Sequence, residues 1–457
     1  MIVASDWAGK RYAVLGLARS GAATVSALLA GGASVVAWDS DPAKREALKP
    51  LPFRGGVGGG ALPQNAMLGE APHPNPSPEG EGLVVAPLDD LLGFDALVVS
   101  PGVPLNTHPL AAAARAAGVP VIGDIELFAQ ARRNLPPHKV VGITGTNGKS
   151  TTTALVHHIL KTAGVPTLMG GNIGLPILGQ APLPEGGVYV LELSSYQIDL
   201  TQSLDCDVAV LLNITPDHLD RYDGFAGYAA SKARLFAMQS AGHVAVVGTG
   251  DEASAHIAQG LAGRTDDLVT IAASGIDQSR WPALQGPHNA QNAQAAIAVA
   301  RALGIAEDAI EAGLRTYASL PHRMQHVATR NGVAFVNDSK ATNPESTAPA
   351  LAAFPRVHWI VGGKRKGDDL DACAAHLPHV VAAYTIGEAA PLFFDLLKDK
   401  VPVVDQSGTL EAAVAHAAVA AQPGDTVLLS PACASFDQFR DYEARGDAFR
   451  AAVEALA

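Results

Sequence analysis

Only three cysteines, Cys206, Cys373 and Cys433, occur in 457 residues. Their number is odd, they lie far apart and none has C-x-x-C spacing, which excludes a disulfide framework and a cysteine zinc site and suits a reducing compartment. Positive charge is also in short supply: 32 Lys and Arg stand against 44 Asp and Glu, a formal charge of −12. Such a chain has no general attraction for nucleic acid, so any polyanionic ligand must be held by local donors and metal ions. No apolar run approaches the length that crosses a bilayer. Asp6 and Lys10 stand among the first residues, where a signal peptide would need a basic segment followed by an apolar one. The expectation is a cytoplasmic monomer without membrane insertion, acting on small molecules.

What is present describes a packed chain. Hydrophobic residues make up 48% and charged ones 17%, and the length exceeds what one core sustains. Apolar strand-like runs at 12–15, 34–38, 96–99 and 119–122 alternate with helical stretches, as in a doubly wound sheet. Further runs follow at 140–143, 188–193, 208–212, 243–247 and 268–272, and a last series at 333–336, 357–361, 380–386 and 426–429. The predicted fold class is α/β in three successive domains: a Rossmann-like domain over 1–136, a central P-loop ATPase-like domain over 137–320 and a Rossmann-like domain over 321–457. Residues 54–82 are Gly- and Pro-rich with few large apolar groups, too little to offset their ordering entropy, and read as an insertion.

The strongest chemical signal is Thr144-Gly145-Thr146-Asn147-Gly148-Lys149-Ser150-Thr151, directly after the apolar strand 140–143 and before a helix. Backbone N–H groups of such a turn face phosphate oxygens, the helix N-terminus adds positive potential, Lys149 supplies a point charge and Ser150 a Mg²⁺ ligand. An ordinary P-loop wants glycine at position 143, where Ile143 stands. Glu192 ends one apolar strand and His218 follows another, so both project from carboxyl ends of strands, where ligands bind. Ser150 and Glu192 offer the oxygen ligands that Mg²⁺ prefers. Taken alone, His218 is a loop histidine bonded to backbone and Lys232 a solvated helix lysine. In the first domain, Gly16-Leu17-Ala18-Arg19-Ser20-Gly21 is an imperfect dinucleotide fingerprint. Asp39 and Ser40 end the next strand and could hydrogen-bond a nucleobase or ribose, and Ser100 ends a later strand.

The Thr-Gly-Thr-Asn-Gly-Lys-Ser loop resembles that of the Mur ligases and folylpolyglutamate synthetases. The resemblance continues in order through Asn172-Ile173-Gly174, Glu192-Leu193-Ser194-Ser195-Tyr196-Gln197, Asn213-Ile214-Thr215-Pro216-Asp217-His218 and Gly286-Pro287-His288-Asn289 to Asn292. In the third domain Leu320-Pro321-His322-Arg323, Asp338-Ser339-Lys340-Ala341-Thr342-Asn343-Pro344, Gly362-Gly363-Lys364-Arg365-Lys366 and Ser430-Pro431-Ala432-Cys433-Ala434-Ser435 are similar to the Mur ligases that add D-glutamate.

That resemblance implies an ATP-dependent ligase joining D-glutamate to UDP-N-acetylmuramoyl-L-alanine through an acyl phosphate. It implies two Mg²⁺ ions, with His218 and a carbamylated Lys232 at the second. A carbamate is an anionic oxygen ligand, which a cationic lysine cannot be. Gly145 to Thr151, Asn289, Asn292, Arg323 and Asp338 are then expected around ATP, between the second and third domains. Arg19, Ser20, Asp39, Ser40, Ser100, Asn172 and Ser194 are expected around the sugar nucleotide. Thr342, Lys366, Ser435 and Tyr442 are expected around D-glutamate, with Lys340 near the reacting phosphate; the adjacent Lys364 and Arg365 leave the choice of Lys366 open by two positions. The rival readings are another Mur ligase or a folylpolyglutamate synthetase, a plain P-loop ATPase, and a nicotinamide-dependent oxidoreductase resting on residues 16–21.

Overall fold

The computed structural model describes residues 1–48, 82–217, 221–263, 267–272, 275–365 and 367–456. The chain forms two compact units, one of residues 1–140, 168–206 and 218–240, the other of residues 141–167, 207–217 and 241–457. The expected insertion at 54–82, His218 and Lys366 lie outside the described residues, apart from Gly82.

In the first unit, β1 (Arg11–Leu15), β2 (Ser34–Trp38), β3 (Leu83–Val85), β4 (Ala96–Val99) and β5 (Val121–Ile122) form a sheet in the order β3-β2-β1-β4-β5. Every pair is parallel. Strand order reverses beside β1, so the loops leaving β1 and β4 open a crevice at the carboxyl ends of the strands. β4 is buried at all four positions, as a strand covered on both faces must be. Leu15, Leu97, Val99, Leu110 and Leu200 pack in the core against it.

β6 (His138–Thr144) runs into the second unit, while β7 (Thr167–Gly171) and β8 (Gly187–Glu192) stand side by side in the first. In the second unit β9 (Val208–Leu211), β10 (Val244–Gly248) and β11 (Leu268–Ile271) continue in the order β11-β10-β9-β6, all parallel. The helix Lys149–Thr162 follows β6 directly, with Gly148 as its N-cap.

The second unit also holds β12 (Gln325–Arg330), β13 (Val333–Asn337), β14 (Val357–Gly362), β15 (Val380–Ile386), β16 (Val404–Gly408) and β17 (Thr426–Leu429), in the order β12-β13-β17-β14-β15-β16. β12 pairs antiparallel, turning an otherwise parallel sheet into a mixed one. Its two faces carry separate cores, one around Trp359, Val361 and Phe393, the other around Ile360, Leu429 and Phe449. β17 comes late in the chain yet sits between β13 and β14, so this sheet too has a switch point at its carboxyl ends. The helix Pro344–Ala352 starts with Pro at its first position, and Asn343 accepts from Ser346 N–H at 2.9 Å. Such a cap contributes about 1 kcal/mol.

Candidate functional site

In the second unit the loop after β6 is held open by Asn213 at the end of β9. Asn213 O accepts from Thr146 N–H at 2.9 Å, its Oδ1 accepts from Asn147 N–H at 2.9 Å, and its Nδ2 donates to Asn147 O at 3.2 Å. Thr146 Oγ1 is bonded to the backbone of Thr215 on both sides, donating to its carbonyl and accepting from its N–H. Gly148 has φ +86°, and a Cβ there would collide with Asn292 Oδ1. Glycine is therefore required twice over, for conformation and for space. Lys149 Nζ donates to Gly145 O at 2.9 Å and Thr146 O at 2.8 Å, folded over the loop it belongs to. Ser150 is buried, and its Oγ accepts from Arg323 Nη2 at 2.8 Å.

Around this loop lies an open cleft with a cavity volume of about 140 Å³, lined by Asn147, Gly148, Thr151, Asn289, Asn292, Arg323, Asp338 and Lys340 among others. Asn292 Oδ1 accepts from Thr152 Oγ1 at 3.2 Å and its Nδ2 donates to Asn289 Oδ1 at 3.2 Å, so the two asparagines form one buried pair on the helix Pro287–Ala302. Asp338 accepts from Met324 N–H at 3.1 Å and Ser430 Oγ at 2.8 Å. Burial pushes its carboxyl up to about 7, against the lowering pull of those two donors and Arg323. Lys340 Nζ lies 3.9 Å from the centre of the Tyr442 ring, a cation–π contact. Thr342 is half-buried and Ser435 buried. His322, Met324 and Ala432 take positive φ of 61°, 45° and 55°, a cost that such residues bear mainly beside functional sites.

The first unit has its own cleft at the switch point. It has a cavity volume of about 610 Å³ and is lined by Arg19, Ser20, Trp38, Asp39, Ser40, Ser100 and Asn172 among others. Gly16 has φ +90° and its carbonyl accepts from Ser100 Oγ at 2.8 Å. Asp39 spends its carboxylate on the backbone, accepting from Leu17 N–H at 2.7 Å and Asp41 N–H at 2.9 Å. Burial alone would raise its pKa, but those two bonds and Lys44, 3.7 Å away, hold it below the usual value. The Arg45 guanidinium lies 4.3 Å from the centre of the Trp38 ring and donates to Ser40 O at 3.0 Å.

Asn172 connects that cleft to Glu192: its Nδ2 donates to Glu192 Oε1 at 3.0 Å. Glu192 is 2% exposed and its other oxygen, Oε2, is buried without a hydrogen-bond partner among the described residues. An orphaned buried carboxylate oxygen is costly unless a proton or cation completes it. Glu192 Oε2 in the first unit and, separately, Ser150 Oγ in the second are oxygen donors of the kind Mg²⁺ takes. Among the described residues no three His, Cys, Asp or Glu side chains cluster. Ser194 caps the helix Ser195–Asp199 in a capping box with Gln197. Lys232 is 1% exposed, with Nζ 4.6 Å from the Tyr228 ring centre, which corrects the surface location its sequence position suggests.

Three cleft residues were not singled out from sequence. Asn213 and Gln291, joined at 3.3 Å, lie within or beside quoted motifs, but their clasp spans 78 positions. His288, whose Nδ1 is buried without a partner among the described residues, stands inside the quoted Gly286 to Asn292 motif but is given no role there.

The family described as Mur ligase middle domain matches residues 143–281, and the Mur ligase glutamate ligase domain matches residues 322–433. The UDP-N-acetylmuramoylalanine–D-glutamate ligase of Novosphingobium aromaticivorans is 62% identical, over 100% of this chain and 97% of the relative. The protein of the same name from Sphingopyxis alaskensis is 60% identical over 100% of both chains. Among solved structures, the MurF ligase of Thermotoga maritima in complex with ADP has a TM-score of 0.58 at 16% identity, covering 99% of this chain and 97% of that one, a likeness of fold. With near-complete coverage at such identity, this chain belongs to the Mur ligases, in the family of UDP-N-acetylmuramoylalanine–D-glutamate ligases.

Proposed function

We propose that this protein joins D-glutamate to UDP-N-acetylmuramoyl-L-alanine at the expense of ATP, a step of peptidoglycan precursor synthesis. The carboxylate oxygen of the alanyl group attacks the γ-phosphorus and ADP leaves. The amine of D-glutamate then attacks the acyl carbon, phosphate departs, and the amine's surplus proton passes to phosphate or water as the amide forms. The observation that carries this reading is the cleft where the phosphate loop shares walls with Arg323, Asp338 and Lys340. It offers what a loose phosphoryl-transfer transition state needs, cations and N–H donors preset around equatorial oxygens.

In this reading Gly145 to Thr151 hold the phosphates, Asn289 and Asn292 face adenosine, and Arg323, Asp338 and Lys340 meet the nucleotide from the third part of the chain. Mg²⁺, when bound, neutralises charge between carboxylate and triphosphate. Ser150 and Glu192 are proposed as its oxygen ligands, and His218 and carbamylated Lys232 as ligands of a second ion. Arg19, Ser20, Asp39, Ser40, Ser100, Asn172 and Ser194 serve the sugar nucleotide. Thr342, Lys366, Ser435 and Tyr442 serve D-glutamate. The chain is accordingly read as three functional parts, 1–136, 137–320 and 321–457, of a cytoplasmic monomer.

The test is ADP release with ATP and Mg²⁺ alone, then with UDP-N-acetylmuramoyl-L-alanine and an amino acid added singly and together. Sustained release should require both. D-glutamate should be strongly preferred over D-alanine and D-glutamine, because donors built for a second carboxylate are left unpaired without it. Release without the sugar nucleotide would indicate a plain ATPase, and preference for L-lysine or meso-diaminopimelate a different Mur ligase.

A further inference from the structure

Arg445, on the helix Tyr442–Glu454, is 1% exposed, an unusual place for a cation. Its guanidinium is spread over two loops. Nε donates to Ser339 Oγ at 3.0 Å and Nη2 to Ser339 O at 2.9 Å, while Nη2 also reaches Cys433 O at 3.0 Å and Nη1 Ala434 O at 3.2 Å. A third loop joins through Ala434, whose N–H and C=O pair with Lys364 O and N–H at 2.9 and 2.8 Å. Gly363 is kept bare for the same reason, since a Cβ there would collide with Ala434 O and sit 3.0 Å from Arg445 Nη1. Ser339 Oγ closes the circuit by donating to Tyr442 O at 2.9 Å.

These loops leave the carboxyl ends of β13, β17 and β14, which are neighbours in the sheet. They carry Lys340 and Thr342, then Ser435, then Lys364 and its following cations. Burial lowers the Arg445 pKa to about 10, so the group remains a cation at neutral pH. A guanidinium's planar fork is what matches several fixed acceptors at once; an ammonium has one centre.

We infer that Arg445 is a positioning residue for the amino-acid acceptor, fixing the three loops at one spacing before the acceptor arrives. The inference rests on the proposed D-glutamate site. Preset loops cost no ordering on binding, so their loosening weakens amino-acid affinity first. The helix-borne clamp bonds to these loops, whereas the Lys149 loop is held by Asn213.

The experiment measures KM for D-glutamate and for ATP in Arg445→Lys and Ser339→Ala, with thermal melting as the folding control. KM for D-glutamate should rise tenfold or more in Arg445→Lys and several-fold in Ser339→Ala, with KM for ATP within threefold. Ser339→Ala retains the buried charge and decides the matter if Arg445→Lys does not fold. A D-glutamate KM within twofold of wild type in folded variants overturns the inference, as does a parallel rise in both KM values. Wild-type protein inactive with D-glutamate would instead sink the functional reading, and this inference with it.

Discussion

Arg323 Nη2 donates to Ser150 Oγ at 2.8 Å, joining residues 173 positions apart. In the proposed reading this hydroxyl turns to Mg²⁺ and the guanidinium to the γ-phosphate when ATP binds. Arg323→Ala should lower kcat about a hundredfold, the magnitude typical of one lost charge-stabilising donor. ADP release at saturating substrates is the measurement, and a loss below threefold would remove Arg323 from the phosphoryl-transfer step.

Lys149 donates to carbonyls of its own loop, Gly145 and Thr146, and is only partly buried. Lys149→Ala should abolish ligation by a hundredfold or more while the melting temperature stays within a few degrees. Near-normal ADP release from a correctly folded variant contradicts the role.

Asp338 gives a pH prediction. Its folded-state pKa, raised by burial to about 7 from 3.8, means that the folded protein holds this proton where the unfolded chain has lost it. By linkage its contribution to stability falls as pH rises from about 4 to about 7. Asp124, pushed up by burial to about 6, acts in the same direction. Denaturant unfolding of wild type and Asp338→Asn across this range should show the variant gaining relative stability as pH rises. A flat difference contradicts the assignment.

Lys232 is buried, where a carbamate would supply oxygen ligands. Removing CO₂ and bicarbonate should lower activity, and adding them back should restore it, more so at mildly acidic pH. Lys232→Arg should fail, because guanidinium retains its charge. A fully active arginine variant would falsify the carbamate.

Sequence pattern exposed the strands that parallel sheets bury and missed four: β3, β7, β12 and β16. Each stands at the end of its strand order, where one side is unpaired and apolar continuity is not required. Val404–Gly408 reads Val-Asp-Gln-Ser-Gly and Thr167–Gly171 ends in two glycines, patterns indistinguishable from loops. The site divides in the same way. Gly148, Lys149 and Ser150 are legible because a phosphate loop is contiguous, and Arg323 and Asp338 because family motifs carry them. Asn213 and Arg445 act by hydrogen bonds to residues 66 and 106 positions away, and no local pattern encodes such a partner.

The stacking of Arg45 on Trp38 has an optical consequence. Trp7, Trp281 and Trp359 are all buried, while Trp38 is partly exposed, lines the first cleft and has a cation over its face. Of the four indoles, it is the one whose surroundings change when that cleft fills. The protein therefore carries a native fluorophore at this cleft, and a ligand entering there can be followed by tryptophan emission without a label.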